Sequence, residues 1–173
     1  MRIPDSVGLR DSNEIVTMMP QIEYAAVAIV IGKDSLILEK RSLTQKDPWS
    51  GQFSLPGGHH SKEDVILKET AIRETLEETG VNLNYGAKYL GHFGPFVPRN
   101  RNNLEVYAYA FEIPTRLPLV PSGESEYIRW VELSELQMTE GEYGREFRIR
   151  DGVVWGLTAR IIERFLELCE ISK

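Results

Sequence analysis

Arg73-Glu74-Thr75-Leu76-Glu77-Glu78-Thr79-Gly80-Val81 is the stretch on which the reading of this chain turns. Helical signal leads into it from Ser61, whose hydroxyl suits an N-cap, with Glu63 and Asp64 in the first turn where the macrodipole favours negative charge. It runs to Thr79 and stops at Gly80, a residue type favoured just past a helix end. At about 100° per residue, Val65, Ile72 and Leu76 fall together as the expected buried stripe. Glu74, Glu77 and Glu78 lie opposite, at i, i+3 and i+4. Like charges at that spacing each cost a helix about 0.2 to 0.5 kcal/mol. They also sit in the last turn and a half, where the dipole disfavours anions by roughly 0.3 to 1 kcal/mol apiece. A helix built only for stability would carry lysines there. A hard divalent cation, Mg²⁺ or Mn²⁺, explains the three carboxylates, because such ions take oxygen ligands and offset the repulsion. Arg73 lies beside Glu77 on the wheel and can brace a carboxylate.

Upstream, the apolar run 24–31 (YAAVAIVI), the turn signal 32–35 and LIL at 36–38 predict a β-hairpin. Residues 42–58 hold two prolines and three glycines and read as an irregular loop feeding a short strand. Downstream, strands are predicted over 88–97, 104–113 and 127–131, with a polar loop at Pro98 to Asn103. Leu133 to Leu136 reads as a helical turn, 145–155 as a hairpin turning at Asp151-Gly152, and Thr158 to Ile171 as a closing amphipathic helix. Strands interleaved with two helices imply a mixed α+β fold, an α/β/α sandwich around a mixed sheet. A doubly wound dinucleotide fold is disfavoured, since Gly57-Gly58 is followed by His59 and His60 and lacks the G-x-G-x-x-G spacing.

The chain has 173 residues, 42% hydrophobic and 27% charged, so one domain over 21–173 with an arm at 1–20 is the default organisation. A chain of this size buries roughly 70% of its unfolded surface without needing disulfides. One cysteine, Cys169, excludes an internal disulfide framework and fits a reducing compartment. With 20 basic against 26 acidic residues, net −6, binding nucleic acid through a broad basic face is not expected. The short apolar stretch around Ile15 and Val16, ended by Pro20, reads as neither a secretory signal nor a membrane span. The expectation is a cytoplasmic protein without a membrane partner.

The segment 73–81 resembles the second half of the Nudix box, R-E-U-x-E-E-x-G-U with U apolar, departing only at Thr75. The first half, normally G-x5-E-x7-R, here has Asp64 as its acid and one inserted residue before Arg73. That lengthened form is similar to the coenzyme A pyrophosphatase branch of the family. Leu38 to Ser42, Gly51 to Gly58, and Trp155-Gly156-Leu157-Thr158-Ala159 resemble further elements of the branch. Glu39, Leu55 and Lys46 depart from them, and these departures bear on the substrate.

The resemblance implies Mg²⁺- or Mn²⁺-dependent hydrolysis of a nucleoside diphosphate linked to another group. Coenzyme A or an acyl derivative is the first substrate, giving adenosine 3′,5′-bisphosphate and (acyl-)4′-phosphopantetheine. ADP-ribose, a dinucleotide or a nucleoside triphosphate is the alternative, and a non-catalytic ligand-binding module a second alternative. It assigns Glu74 and Glu78 as principal metal ligands, Glu77 as a third ligand or orienting base, and the Gly57 carbonyl as a backbone ligand. A distal acid comes from PSGESEYIRW, with Glu124 favoured over Glu126. Gly58 belongs to the phosphate-binding turn, and Lys40, Arg41, Arg99 and Arg101 are candidates for a coenzyme A 3′-phosphate, with solvated surface charge a comparable reading for each. His59, His60, Trp49 and Phe53 are nearby, but loop histidines are more often spectators and the aromatics more often packing. The partner is a small nucleotide, and a homodimer is compatible with this picture.

Overall fold

The computed structural model describes residues 21–44 and 49–171, so the arm at 1–20 and Lys46 lie outside the described residues. The chain forms β1 (Glu23–Gly32), β2 (Ser35–Arg41), β3 (Phe53–Ser54), β4 (Gly57–His59), α1 (Leu67–Thr79), β5 (Lys88–Phe96) and β6 (Leu104–Ile113). There follow β7 (Ser125–Glu132), a 3₁₀ turn (Leu133–Glu135), β8 (Gln137–Gly141), β9 (Gly144–Ile149), β10 (Gly152–Val154) and α2 (Gly156–Ile171).

Seven strands make the central mixed sheet. β1 runs parallel to β6 along its whole length, and β5 closes that edge antiparallel to β6. The predicted hairpin turns at Lys33 and Asp34, both left-handed, yet β1 and β2 stay in register only at Ile31 and Leu36. They then part. The start of β1 pairs with β4 (Val27 opposite Gly57), while β2 pairs with β3 and β7. This divergence opens the sheet beside β4 and makes room for a site. A separate antiparallel meander, β8-β9-β10, includes β8, which sequence patterning does not predict.

The period of two along the strands builds two cores. Ile29, Leu36, Leu38, Val106 and Ala108 face α2 and the meander, meeting Phe147, Ile161, Ile162 and Phe165. Ala26, Ala28, Val30, Ile37, Tyr109 and Phe111 face the other way, toward Ala71 of α1 and Val81 and Leu83 beyond it. The sheet is therefore covered on both faces, as an α/β/α sandwich requires. Among the described residues no helix is long and apolar enough to cross a membrane.

Two details of α1 correct the sequence reading. The helix begins at Leu67 rather than Ser61, and its cap is Ile66, over which Glu69 reaches back to accept from the amides of Val65 (2.7 Å) and Ile66 (3.4 Å). Ser61 instead anchors Asp64 in the preceding turn, its amide donating to Oδ2 at 3.2 Å. Of the expected apolar stripe only Ile72 packs, partly buried, against the core: Val65 is 83% and Leu76 42% exposed, while Thr70, Ala71, Thr75 and Thr79 are buried. The physical reason is distance. α1 lies over Ala26, Ala28 and the glycines of β4, a surface whose closest approach favours small side chains, and the hydroxyls of Thr75 and Thr79 stay satisfied by donating back along the helix. Thr75 donates to the Ala71 carbonyl at 2.7 Å and Thr79 to the Thr75 carbonyl at 2.6 Å. The threonine that departs from the apolar pattern is thus a close-packing residue.

Candidate active site

α1 presents its acids to β4 across a very short gap. The Gly57 amide donates to Glu78 Oε2 at 2.8 Å, which fixes that carboxylate against the strand. A Cβ on Gly58 would lie 2.5 Å from the Glu74 carboxyl carbon, and one on Gly57 would lie 2.6 Å from Val27 Cα. Gly57 therefore requires glycine to let two strands approach, whereas a side chain at Gly58 would displace the Glu74 carboxylate from its place.

Arg73 organises the helix face. Its Nε and Nη2 donate to Asp64 Oδ1 and Oδ2 at 3.1 and 2.9 Å, and its Nη1 donates to Glu74 Oε1 at 2.7 Å. Asp64 also accepts from Thr70 Oγ1 at 2.9 Å. The guanidinium first, with these donors, holds the Asp64 carboxyl well below the usual carboxylate range. Glu77 is more loosely held, 3.4 Å from Arg73, and is 57% exposed at the rim. It does not line the cavity that Glu74 and Glu78 share.

Behind Glu78 stands a residue that sequence reading noted only as a departure. Glu39, from the middle of β2, is 2% exposed, and accepts from Ser54 Oγ at 2.9 Å and Ser125 Oγ at 2.8 Å. Burial pushes the Glu39 carboxyl up, against the opposing effect of those hydroxyls and Arg41. Burial first, and then the Glu39 charge, push Glu78 up as well. Its signal in the sequence was a single acid inside an otherwise apolar strand.

The distal acid is positioned by the helix itself. Val120 and Ser122 donate their amides to the Thr79 and Glu78 carbonyls at 2.9 and 3.3 Å, capping the end where the dipole opposes the glutamates. The same loop continues to Glu124, whose carbonyl accepts from the Ser42 amide at 3.1 Å. β2 and β7 then shift register between Lys40 and Arg41, so that Glu126 is skipped. Glu126 pairs with Lys40 at 3.5 Å, whereas Glu124 lines the cavity.

That cavity, about 1080 Å³, is lined by Gly57, Gly58, Glu74, Glu78 and Glu124 at one end. Arg41, Arg99, Trp49, Phe53 and His59 line it too. Lys40 does not; its ammonium lies 5.7 Å from the Tyr127 ring centre. Arg101 does not line it either, being bound to Glu23 at 2.5 Å. His60 Nδ1 is 3.0 Å from Thr70 Oγ1, a packing role, and Cys169 is exposed near the end of α2.

Among the described residues no three His, Cys, Asp or Glu side chains converge closely enough to enclose an ion unaided. A divalent cation nonetheless fits the chemistry of this donor set. Glu78 is a partly buried carboxylate crowded by another, and Glu74 occupies a cradle that a Cβ on Gly58 would fill. Two carboxylates, one of them held by the Gly57 amide, are hard oxygen donors of the kind such an ion takes.

The family model described as NUDIX domain matches residues 22–149. A Schizosaccharomyces pombe protein named as a probable nudix hydrolase is 31% identical over 76% of this chain, which spans 50% of that relative's own length. The Nudix hydrolase NudL of Yersinia enterocolitica is 29% identical, over 86% of this chain and 82% of the relative. Among solved structures, a Francisella tularensis bifunctional NMN adenylyltransferase/ADP ribose pyrophosphatase, complexed with AMP and a Mn ion, superposes with TM-score 0.64. It does so at 18% identity, over 91% of this chain and 44% of that one, a likeness of fold.

Proposed function

The chain belongs to the Nudix family, and we propose that it is a divalent-cation-dependent pyrophosphohydrolase whose substrate is coenzyme A or an acyl derivative. The observation that carries the reading is the meeting of Glu74 and Glu78 with the glycines of β4 at one end of a cavity large enough for a nucleotide. Glu74, Glu78 and the Gly57 carbonyl hold Mg²⁺ or Mn²⁺. The cation supplies charge to balance the pyrophosphate and lowers the pKa of the attacking water.

The chain's own residues do the remainder. Arg73 orients Glu74 from behind, and the Gly57 amide orients Glu78. In this reading Glu124, on the loop that caps the helix end, takes the proton from water, and Glu77 at the rim is the alternative. Gly58 lets the phosphates approach the backbone. Arg41 and Arg99 line the cavity and meet the remaining negative charge of the substrate.

ADP-ribose is the second reading. It is favoured by the loss of two cations expected for a 3′-phosphate, because Lys40 is paired with Glu126 and Arg101 with Glu23. Initial rates with Mg²⁺ on coenzyme A, ADP-ribose and a nucleoside triphosphate separate the two. The first reading expects coenzyme A to have the highest kcat/KM, and a higher value for ADP-ribose would replace it. If Glu78→Gln hydrolysed substrate as well as the parent, the assignment of the site would be wrong.

A further inference from the structure

Besides the carboxylates, the cavity is lined by an aromatic pair to which sequence resemblance gave no role. Tyr143, in the β8–β9 turn, and Trp155, just before α2, stack with ring centres 4.9 Å apart and planes at 27°, and both line the cavity wall. Around them stand three arginines that also line it: Arg99, Arg145 and Arg160. Their electrostatic states differ. Arg145 is neutralised by Glu163, with Glu140 at 3.6 Å. Arg99 donates to the Tyr143 carbonyl at 3.1 Å and Arg160 to the Val97 carbonyl at 3.0 Å; among the described residues no carboxylate pairs with either. The Arg160 guanidinium also lies 5.9 Å from the Phe96 ring centre. The cavity therefore has acids at one end, and an aromatic pair with two uncompensated cations at the other.

A ligand complementary to both ends carries a metal-binding pyrophosphate, an aromatic base and a further anion near that base. We propose that the Tyr143–Trp155 pair seats the nucleobase of the substrate, and that Arg99 and Arg160 meet a phosphate on its sugar. The inference rests on the nucleotide reading above and deepens it, by giving the base and its phosphate a named place. A flat π-face receives any base by stacking, so the aromatic pair supplies affinity and the arginines supply preference for the extra phosphate.

The test is calorimetric binding of AMP and of adenosine 3′,5′-bisphosphate, with Mg²⁺, to the parent and to Tyr143→Ala, Tyr143→Phe and Arg160→Gln. Tyr143 is half exposed in a turn, so its truncation leaves both cores intact. Tyr143→Ala is expected to weaken both nucleotides about tenfold and Tyr143→Phe to restore them. Arg160→Gln is expected to weaken the bisphosphate about tenfold and AMP far less. In steady state the Tyr143→Ala loss falls mainly on KM. Unchanged AMP affinity in Tyr143→Ala, while coenzyme A is still hydrolysed, overturns the seat and leaves the function. Weakened AMP binding in Tyr143→Ala, in a protein that does not cleave coenzyme A, supports the seat and removes the substrate.

Discussion

Arg73 grips Asp64 through two parallel hydrogen bonds, Nε to Oδ1 at 3.1 Å and Nη2 to Oδ2 at 2.9 Å, across the turn that precedes its own helix. The side chain of Asp64 is 6% exposed and that of Arg73 28%, so the carboxylate half of the pair is shielded from water. Losing hydrogen bonds to a charged group costs about 1.5 to 3 kcal/mol, and Arg73 keeps Glu74 at 2.7 Å as a second partner. Asp64→Asn is expected to lower the midpoint of thermal unfolding by roughly 3 to 12 °C, at about 2 to 4 °C per kcal/mol for a chain of this size. Differential scanning calorimetry at neutral pH measures it, and a fall under about 2 °C would show the pair to be incidental.

Acid sensitivity follows from the same carboxyl. Asp64 is held below its ordinary value by Arg73, and Asp151 is lowered to about 2, chiefly by Arg129. Carboxyls lowered on folding add stability that is fully present above the unfolded value, about 3.9, and is lost as pH falls through the folded value. Denaturant midpoints should thus be flat in these groups above about pH 5 and drop steeply toward pH 2. Asp64→Asn should flatten that drop.

Glu39 carries the opposite sign. Its carboxyl is raised by burial, so its ionised form opposes folding at neutral pH and the opposition fades as pH falls toward the unfolded value, about 4.3. Glu39→Gln, which can still bond the Ser54 and Ser125 hydroxyls, should raise stability by about 1 to 2 kcal/mol at pH 8 in a chelator, the gain shrinking by pH 5. Urea midpoints at the two pH values test it, and equal gains at both would refute the electrostatic account.

Divalent ions should stabilise the folded chain. At a hundred times the dissociation constant, binding to the native state alone adds about 2.7 kcal/mol. The thermal shift produced by Mn²⁺ is expected to vanish in Glu74→Gln and Glu78→Gln. It should survive largely in Glu77→Gln, whose side chain stays at the rim, outside the cavity lining. Equal loss in all three would place Glu77 among the ligands.

The two adjacent glycines should fail differently. A methyl on Gly57 meets the backbone of Val27, which cannot yield without moving β1, whereas one on Gly58 meets only the end of the Glu74 side chain. Gly57→Ala is expected to destabilise the fold by at least about 2 kcal/mol, and Gly58→Ala to keep the fold while cutting kcat/KM about a hundredfold. Parallel unfolding and rate measurements separate them.

Much of the molecule was legible before its fold was known. The alternation through 104–113 predicts β6 with its bounds, and Lys33 and Asp34 do turn the first hairpin. The acids at 74 and 78 stood out because helix physics opposes them there, and they share the cavity with Gly57 and Gly58. Hydropathy ranks Val65 and Leu76 above threonine and so points away from the true buried face of α1, where the gap to β4 selects for size. Glu39 was passed over because its importance lies in two serines 15 and 86 residues away, a relation that no local pattern encodes. Arg101 and Lys40 looked like phosphate binders until tertiary contacts supplied Glu23 and Glu126.

The divided cores have a consequence for how such a protein can change. The carboxylate end of the cavity is carried by α1 and β4, on the side of Ala71, while the aromatic end is carried by the meander and α2, on the side of Phe147 and Ile161. Mutations that reshape one wall therefore need not disturb the other. Selection could exchange the side chains of the aromatic wall while inheriting the carboxylate wall intact, which makes the β8–β9 turn the place where the cavity would first change shape.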